Sequence, residues 1–367
     1  MSVEAVELRV VRLPLVTPFR TSQDSQDERV ALLVRVETTE GGGWAECAAG
    51  QAPFYEPEFI SGARTVITEY LVPMLMAAPG VSAARVQRVL APVKGHQMAK
   101  AALETAILDA ELRARQMSLA QYLGAVRDRV PVGVSVGIPG SLAELVGQVE
   151  GYLEQGYRRI KLKIEPGWDL EPVRAVRERF GPELPLQADA NGAYTPASAG
   201  RLRGLDEFGL LLLEQPLPAD DLLGHADLAR LLTTPICLDE SITSPQAAAT
   251  ALRLGACTVV NIKPSRVGGY LAARAVHDLC AAHGVPVWCG GMLETGVGRA
   301  ANLALAAMEN FTLPGDISAT ARYYAQDITP AFILEDGHIT VPTGPGIGVD
   351  VLPDALDQLT THREVLS

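Results

Sequence analysis

The sequence predicts an α/β protein: a closed barrel of repeated β/α units joined to a smaller α+β domain. Two observations carry this. From Val130 onward, short apolar runs alternate with longer amphipathic segments, whereas the preceding residues read as strands first and helices afterwards. Through that second region five charged residues, Lys163, Asp189, Glu214, Asp239 and Lys263, recur at intervals of 26, 25, 25 and 24 residues. One β/α unit fits each interval.

In chain order, Val6, Leu8, Val10 and Leu13 mark a first strand and Val30–Val36 a second. A Gly41-Gly42-Gly43 turn leads into a third, Trp44–Cys47, completing a meander. The segment Thr17–Glu28 between the first two strands reads as a polar, mobile loop. Apolar residues at three- and four-residue steps predict helices over Phe59–Met76 and Met98–Gln116, so residues 1–125 form the α+β domain. Residues 126–325 form the barrel. Its strands are expected at Val132–Val136, Arg159–Lys163, Leu186–Asp189, Leu210–Glu214, Ile236–Asp239, Val259–Lys263 and Val285–Trp288, with a weak last one near Leu313. Helices between them include Glu171–Arg179, Leu222–Leu232 and Tyr270–His283. Parallel strands with right-handed crossovers in this number close into a barrel, and the weak eighth helix favours seven full units plus a strand. The Pro- and Gly-rich tail, 326–367, carries two short apolar runs and is expected to return to the first domain.

Composition removes several function classes. The net charge of −12 comes without a basic stripe, which argues against nucleic-acid binding. Glu4, Glu7, Arg9 and Arg12 interrupt any signal-peptide core, and no apolar run approaches the ~20 residues needed to span a bilayer. The five cysteines, Cys47, Cys237, Cys257, Cys280 and Cys289, are odd in number and lack Cys-x-x-Cys spacing. They read as buried small hydrophobes in a reducing cytoplasm. Gly296-Val297-Gly298 is a lone Gly-x-Gly, with neither a Walker loop nor a full dinucleotide fingerprint, so a nucleotide-dependent enzyme is disfavoured.

The five phased charges stand at the predicted C-terminal ends of consecutive strands, the catalytic face of a β/α barrel. Any one acidic residue there could merely cap the next helix. Five in phase point to a site. Asp189, Glu214 and Asp239 would fall on one arc, where mutual repulsion calls for a cation, and all-oxygen donors favour Mg²⁺ or Mn²⁺ over zinc. Lys163 and Lys263 lie four strands apart, so an amine would face each side of a substrate carbon. That suits a two-base racemisation, in which one lysine removes a proton and the other returns one. Lys161 points inward with Lys163 by period-two alternation, and a second ammonium would disfavour the charged form of Lys163. A non-catalytic barrel would have little reason to carry such a set.

Lys161-Leu162-Lys163, Asp189-Ala190-Asn191, Glu214-Gln215-Pro216, Asp239-Glu240-Ser241 and Asn261-Ile262-Lys263-Pro264 resemble the enolase superfamily, in its muconate-lactonizing branch. Thr17–Thr21, Gly95–Lys100 and Trp288–Gly296 are similar to the N-acylamino acid racemase and o-succinylbenzoate synthase family, and the likeness covers nearly the whole chain. The resemblance implies an α+β capping domain over a modified (β/α)7β TIM-type barrel. It implies a divalent metal, Mg²⁺ with Mn²⁺ or Co²⁺ as alternatives, on Asp189, Glu214 and Asp239. It implies Lys163 and Lys263 as the acid/base pair, with Lys161 and Asn191 beside substrate or metal. The substrate is a small carboxylate, and homo-oligomers, dimers or octamers, are expected. Members racemise N-succinyl or other N-acyl amino acids, or dehydrate a cyclohexadiene carboxylate to o-succinylbenzoate in menaquinone synthesis; dipeptide epimerases and cycloisomerases are the neighbouring activities. Phe19 and Tyr55 are candidates for the acyl pocket, with Gly291, Met292 and Leu293 as further substrate contacts. Asp316 and Ser318 follow the last strand within reach of substrate, Glu240 is placed to touch Lys263 or the metal shell, and Gly50 would widen the acyl site.

Overall fold

The computed structural model describes residues 1–22 and 24–367. The N-terminal sheet is antiparallel and built from β1 (Val3–Arg20), β2 (Ser25–Thr38) and β3 (Gly41–Cys47). β1 and β2 form one long hairpin, paired from Val3↔Thr38 out to Arg20↔Ser25 with an irregularity between Pro14 and Phe19. The expected loop Thr17–Glu28 is therefore mostly strand. Its polarity reflects two exposed strand ends; residue 23 lies outside the described residues. The second turn is at Thr39-Glu40, one step earlier than the glycine run suggests, because Gly41–Gly43 already pair with β2. Gly43 is needed for a different reason: a Cβ there would collide with Ala106 O and Ala110 N of the helix Gln97–Ala114. That helix is buried on nearly every face, as a helix must be when it lies between two domains.

The expected helix over Phe59–Met76 forms, with a π-bulge inside it. It runs as Ile60–Val66, a π-turn Ile67–Leu71 and Val72–Ala77. Pro73 explains the bulge, since its ring removes an N–H and crowds the preceding turn.

β4 (Arg129–Pro131) precedes the barrel, whose strands are β5 (Val134–Val136), β6 (Ile160–Lys163), β7 (Leu186–Asp189), β8 (Leu212–Glu214), β9 (Ile236–Leu238), β10 (Val259–Ile262) and β11 (Val287–Cys289). β5 to β11 form one parallel sheet in sequential order. No strand forms at Leu313; Pro314 lacks the donor a ladder requires. The segment still acts as the eighth stave. Thr312 N donates to Val287 O (3.2 Å) and Asp316 N to Cys289 O (2.9 Å) on one side, while Gly133 N donates to Gly315 O (2.8 Å) on the other. Seven strands and this irregular stave close the ring. β12 (His338–Thr340) pairs with β4, and β13 (Thr360–Leu366) pairs antiparallel with β1, so the chain ends in the N-terminal sheet. All five cysteines are buried and free. Among the described residues, no helix is long and apolar enough to cross a membrane.

Candidate active site

Ladder register sets the level of the charged residues. Lys163 pairs with Asp189, and Asp189 with Glu214, across adjacent strands; Asp239 and Lys263 follow directly after β9 and β10. Just past the strand ends, Asn191, Gln215 and Leu293 hold left-handed φ values of 45°, 38° and 57°. Such turns are costly without glycine and are characteristic of sites where backbone direction is dictated by function.

Lys161, Lys163 and Lys263 border a cavity of about 520 Å³ between barrel and N-terminal domain. Phe19, Tyr55, Gly50, Gly291, Met292, Leu293 and Asp316 also line it. A Cβ on Gly291 would strike Asp316 O, so only glycine lets the backbone pass there. Ser318 does not line the cavity; its hydroxyl donates to Gly133 O at 2.9 Å, and its position is fully buried.

The carboxylates lie beneath this surface, each engaged by cations. Lys163 Nζ is 2.7 Å from Asp189 Oδ2 and donates to Asn191 Oδ1 at 2.7 Å. Lys161 Nζ is 2.9 Å from Glu214 Oε2, 3.0 Å from Asp189 Oδ2 and 2.6 Å from Asp316 Oδ2. Burial alone would lower the Lys161 pKa, but Asp316, Glu214 and Asp189 outweigh it and hold it well above its usual value. Lys161 therefore does not stand as a bare second ammonium against Lys163. Asp189 Oδ2 touches both amines and screens one from the other.

Lys263 Nζ donates to Asp239 Oδ2 at 2.9 Å and to the Tyr55 hydroxyl at 2.7 Å, and that hydroxyl donates to Asp239 Oδ2 at 3.0 Å. Arg266 bonds Asp239 Oδ1 and also reaches Tyr55 (2.9 Å) and Glu56 Oε1 (2.6 Å). Burial pushes the Asp239 carboxyl up, but Arg266 and Lys263 overcome this and hold it far below the usual range. Asp189 is lowered in the same way: Lys163 and Lys161 overcome its burial. Glu214 is raised, by burial and then by Asp189. Glu240 Oε1 accepts from Asn191 Nδ2 at 2.9 Å rather than meeting Lys263; burial, then Asp239 and Asp189, raise it to about 7.

Three buried carboxylates on neighbouring staves form an all-oxygen donor set suited to a hard divalent ion. Among the described residues no three acidic, histidine or cysteine side chains are grouped to hold an ion. Lys161 bridges Asp189 and Glu214 instead. Two features still mark a surplus of carboxylate that added positive charge would relieve: Glu214 is raised, and Glu240 Oε2 is buried without a partner. By chemistry, the residues fit such an ion.

Sequence reasoning passed over several cavity or support residues, Arg29 among them. Arg266 stands one helical turn after Lys263. Arg159 alternates with Lys161 and Lys163 into the barrel, where it pairs with Asp316 (2.7 Å) and lies over the Trp288 ring; the period that exposed the two lysines extends to it. Ser135, whose buried hydroxyl has no hydrogen-bond partner among the described residues, and Tyr323 line the cavity, but nothing in their local sequence signals this.

Comparison with known proteins places this geometry. Residues 5–124 match the mandelate racemase / muconate lactonizing enzyme N-terminal domain, and residues 144–355 match the family described as enolase C-terminal domain-like. The chain is 61% identical over 363 residues to an N-succinylamino acid racemase of Amycolatopsis sp, covering 99% of each. It is 48% identical to an o-succinylbenzoate synthase of Geobacillus kaustophilus, covering 96% of this chain and 94% of that one. An enolase-superfamily structure from Listeria innocua superposes with a TM-score of 0.95 at 40% identity, covering 100% of this chain and 99% of that one. The chain belongs to the enolase superfamily, and within it to the N-acylamino acid racemase / o-succinylbenzoate synthase family.

Proposed function

We propose that this enzyme abstracts the proton next to a substrate carboxylate, forming an enediolate, and that it racemises N-acyl amino acids, N-succinyl amino acids first among them. The observation supporting this most directly is that β6, which ends in Lys163, and β10, which Lys263 follows, lie four staves apart in the eight-stave ring, and both lysines line the cavity. Lys163 accepts the α-proton on one face; Lys263 delivers a proton to the other, and the roles reverse for the opposite enantiomer. Lys161 adds fixed positive charge beside the carboxylate. Superfamily members use a divalent metal, and Asp189, Glu214 and Asp239 would hold it here, with Mg²⁺ our choice and Mn²⁺ or Co²⁺ as substitutes. Bound there, the ion would supply positive charge toward the substrate carboxylate.

The same residues serve a second reaction, the dehydration named for the o-succinylbenzoate synthase relative. That step needs one base, Lys163, with Lys263 remaining a cation. The reading includes a cytoplasmic location and assembly as a homo-oligomer, dimer or octamer.

The test is solvent deuterium exchange at the α-carbon of both enantiomers of an N-succinyl amino acid with Mg²⁺ supplied. Exchange and inversion are expected for both, and Lys263→Ala should abolish inversion. No exchange with any N-acyl amino acid, but turnover of dipeptides or muconates, would move the chain to the epimerases or cycloisomerases. Calorimetry should detect Mg²⁺ binding that Glu214→Gln weakens.

A further inference from the structure

The lining of the cavity contributed by the N-terminal domain holds a single cation, Arg29 of β2, among the described residues. Its side chain is only 4% exposed. An arginine cannot shed its charge, so burying one calls for close counter-charge. The three lysines of the cavity have it, at 2.6 to 3.0 Å from carboxylate oxygens. Arg29 does not. Its one carboxylate contact among the described residues is Nη2 to Glu46 Oε1 at 3.4 Å, and its Nε is buried without any partner.

Glu46 is itself a poor counterion. Its Oε2 is committed to Thr295, accepting from the backbone N–H (2.8 Å) and the hydroxyl (2.7 Å). Burial pushes its carboxyl up to about 7 against the pull of Arg29, so it carries its charge only in part near neutrality. On the same cavity wall, Gly50 has no side chain, and a Cβ there would meet only backbone atoms of Ala52. The hairpin residues Asp24, Asp27 and Glu28 at the cavity are acidic and would not retain an anion, which leaves Arg29 as the one charged receptor for an anion on the cap side among the described residues.

We propose that Arg29 binds a second carboxylate of the substrate, at the far end of the acyl chain. The N-succinyl amino acids already put first would then be held at one end by the lysine cluster and at the other by Arg29. This rests on the racemase reading above.

The experiment compares N-succinyl-phenylalanine with its succinamoyl analogue, in which a terminal amide replaces the distal carboxylate. Exchange kcat/KM is measured on the full-length enzyme with Mg²⁺. A charge-assisted hydrogen bond predicts that wild type favours the acid by roughly tenfold or more. In Arg29→Met that ratio should collapse toward one, mainly through KM for the acid, and Arg29→Lys should restore part of it. A residue with only a structural role would lower both substrates together and leave the ratio intact, which overturns the proposal. Equal use of acid and amide by wild type also overturns it while leaving the racemase reading standing, and this arm decides the matter if Arg29→Met does not fold. Exchange of neither substrate by wild type removes both.

Discussion

Replacing Tyr55 by Phe separates the two lysines. The hydroxyl accepts from Lys263 Nζ at 2.7 Å and from Arg266 Nη2 at 2.9 Å, and donates to Asp239 Oδ2 at 3.0 Å; it makes no contact with Lys163. The ring stays in Tyr55→Phe, so its cation-π contact with Lys263, 5.0 Å from centroid to Nζ, is retained. What is lost is the hydrogen bonding of a neutral hydroxyl to three charged groups, and a hydrogen bond to a charged group is worth about 1.5–3 kcal/mol. Lys263 and Arg266 keep Asp239, so the lower end applies, and proton transfer through Lys263 should slow by roughly tenfold. Inversion rates cannot reveal this asymmetry, because kcat/KM must be equal in both directions when the equilibrium constant is one. The discriminating assay is α-proton exchange in D₂O from each pure enantiomer, followed by NMR with the enantiomeric composition measured alongside. For the enantiomer whose proton faces Lys163, exchange should run well ahead of inversion in the variant. For the other, exchange and inversion should slow together. Equal exchange from both enantiomers in Tyr55→Phe would refute the assignment of opposite faces to the two lysines.

Asp316→Asn leaves Lys161 and Arg159 short of a counterion, each buried and held at 2.6 and 2.7 Å. Loss of up to about 3–5 kcal/mol is expected by chemical denaturation, and Arg159→Met should cost much less in that background than alone. Glu46 is raised in the folded state from an ordinary 4.5 to about 7, so its favourable contribution is complete below the lower value and is lost as pH climbs through the higher. Glu46→Gln removes that slope. The stability of the variant minus wild type should rise by on the order of 3 kcal/mol between pH 4.5 and 8, and a pH-independent difference would contradict the shift. Gly43→Ala forces the N-terminal sheet off the helix Gln97–Ala114, and a cost of about 1–3 kcal/mol should appear in the urea midpoint.

The sequence carried the barrel because its strands are buried on both faces and read as short apolar runs, and because the five charges share one register along it. It did not carry the eighth stave, where Pro314 and Gly315 make hydrogen bonds without a strand, nor the π-turn, which depends on how Pro73 is accommodated. At the site, what periodicity could reach was the set of residues ending the strands. Arg159 obeys the same alternation as Lys161 and Lys163 and could have been found. Arg266 and Tyr55 matter through side-chain reach across a helix turn and a domain boundary, and Arg29 through what it lacks; neither property has a local pattern. The early polar segment misled for a related reason, since exposed hairpin ends and loops share a composition.

Charge compensation links the two domains. The barrel alone sets Lys263 and Arg266 against Asp239, yet the hydroxyl joining all three belongs to Tyr55, and Glu56, its neighbour, takes the remaining side of Arg266. The N-terminal domain therefore does more than cover the cavity: among the described residues, it completes the hydrogen bonding of Lys263, one of the two proposed bases, and not that of Lys163. Displacing residues 55 and 56 would leave Arg266 and Lys263 competing for a single buried carboxylate, whereas Lys163 would keep Asp189 and Asn191 untouched. Substitutions in this segment should therefore act on one face of the substrate, and a change that disturbed both faces equally would mean that the segment acts only by closing the cavity.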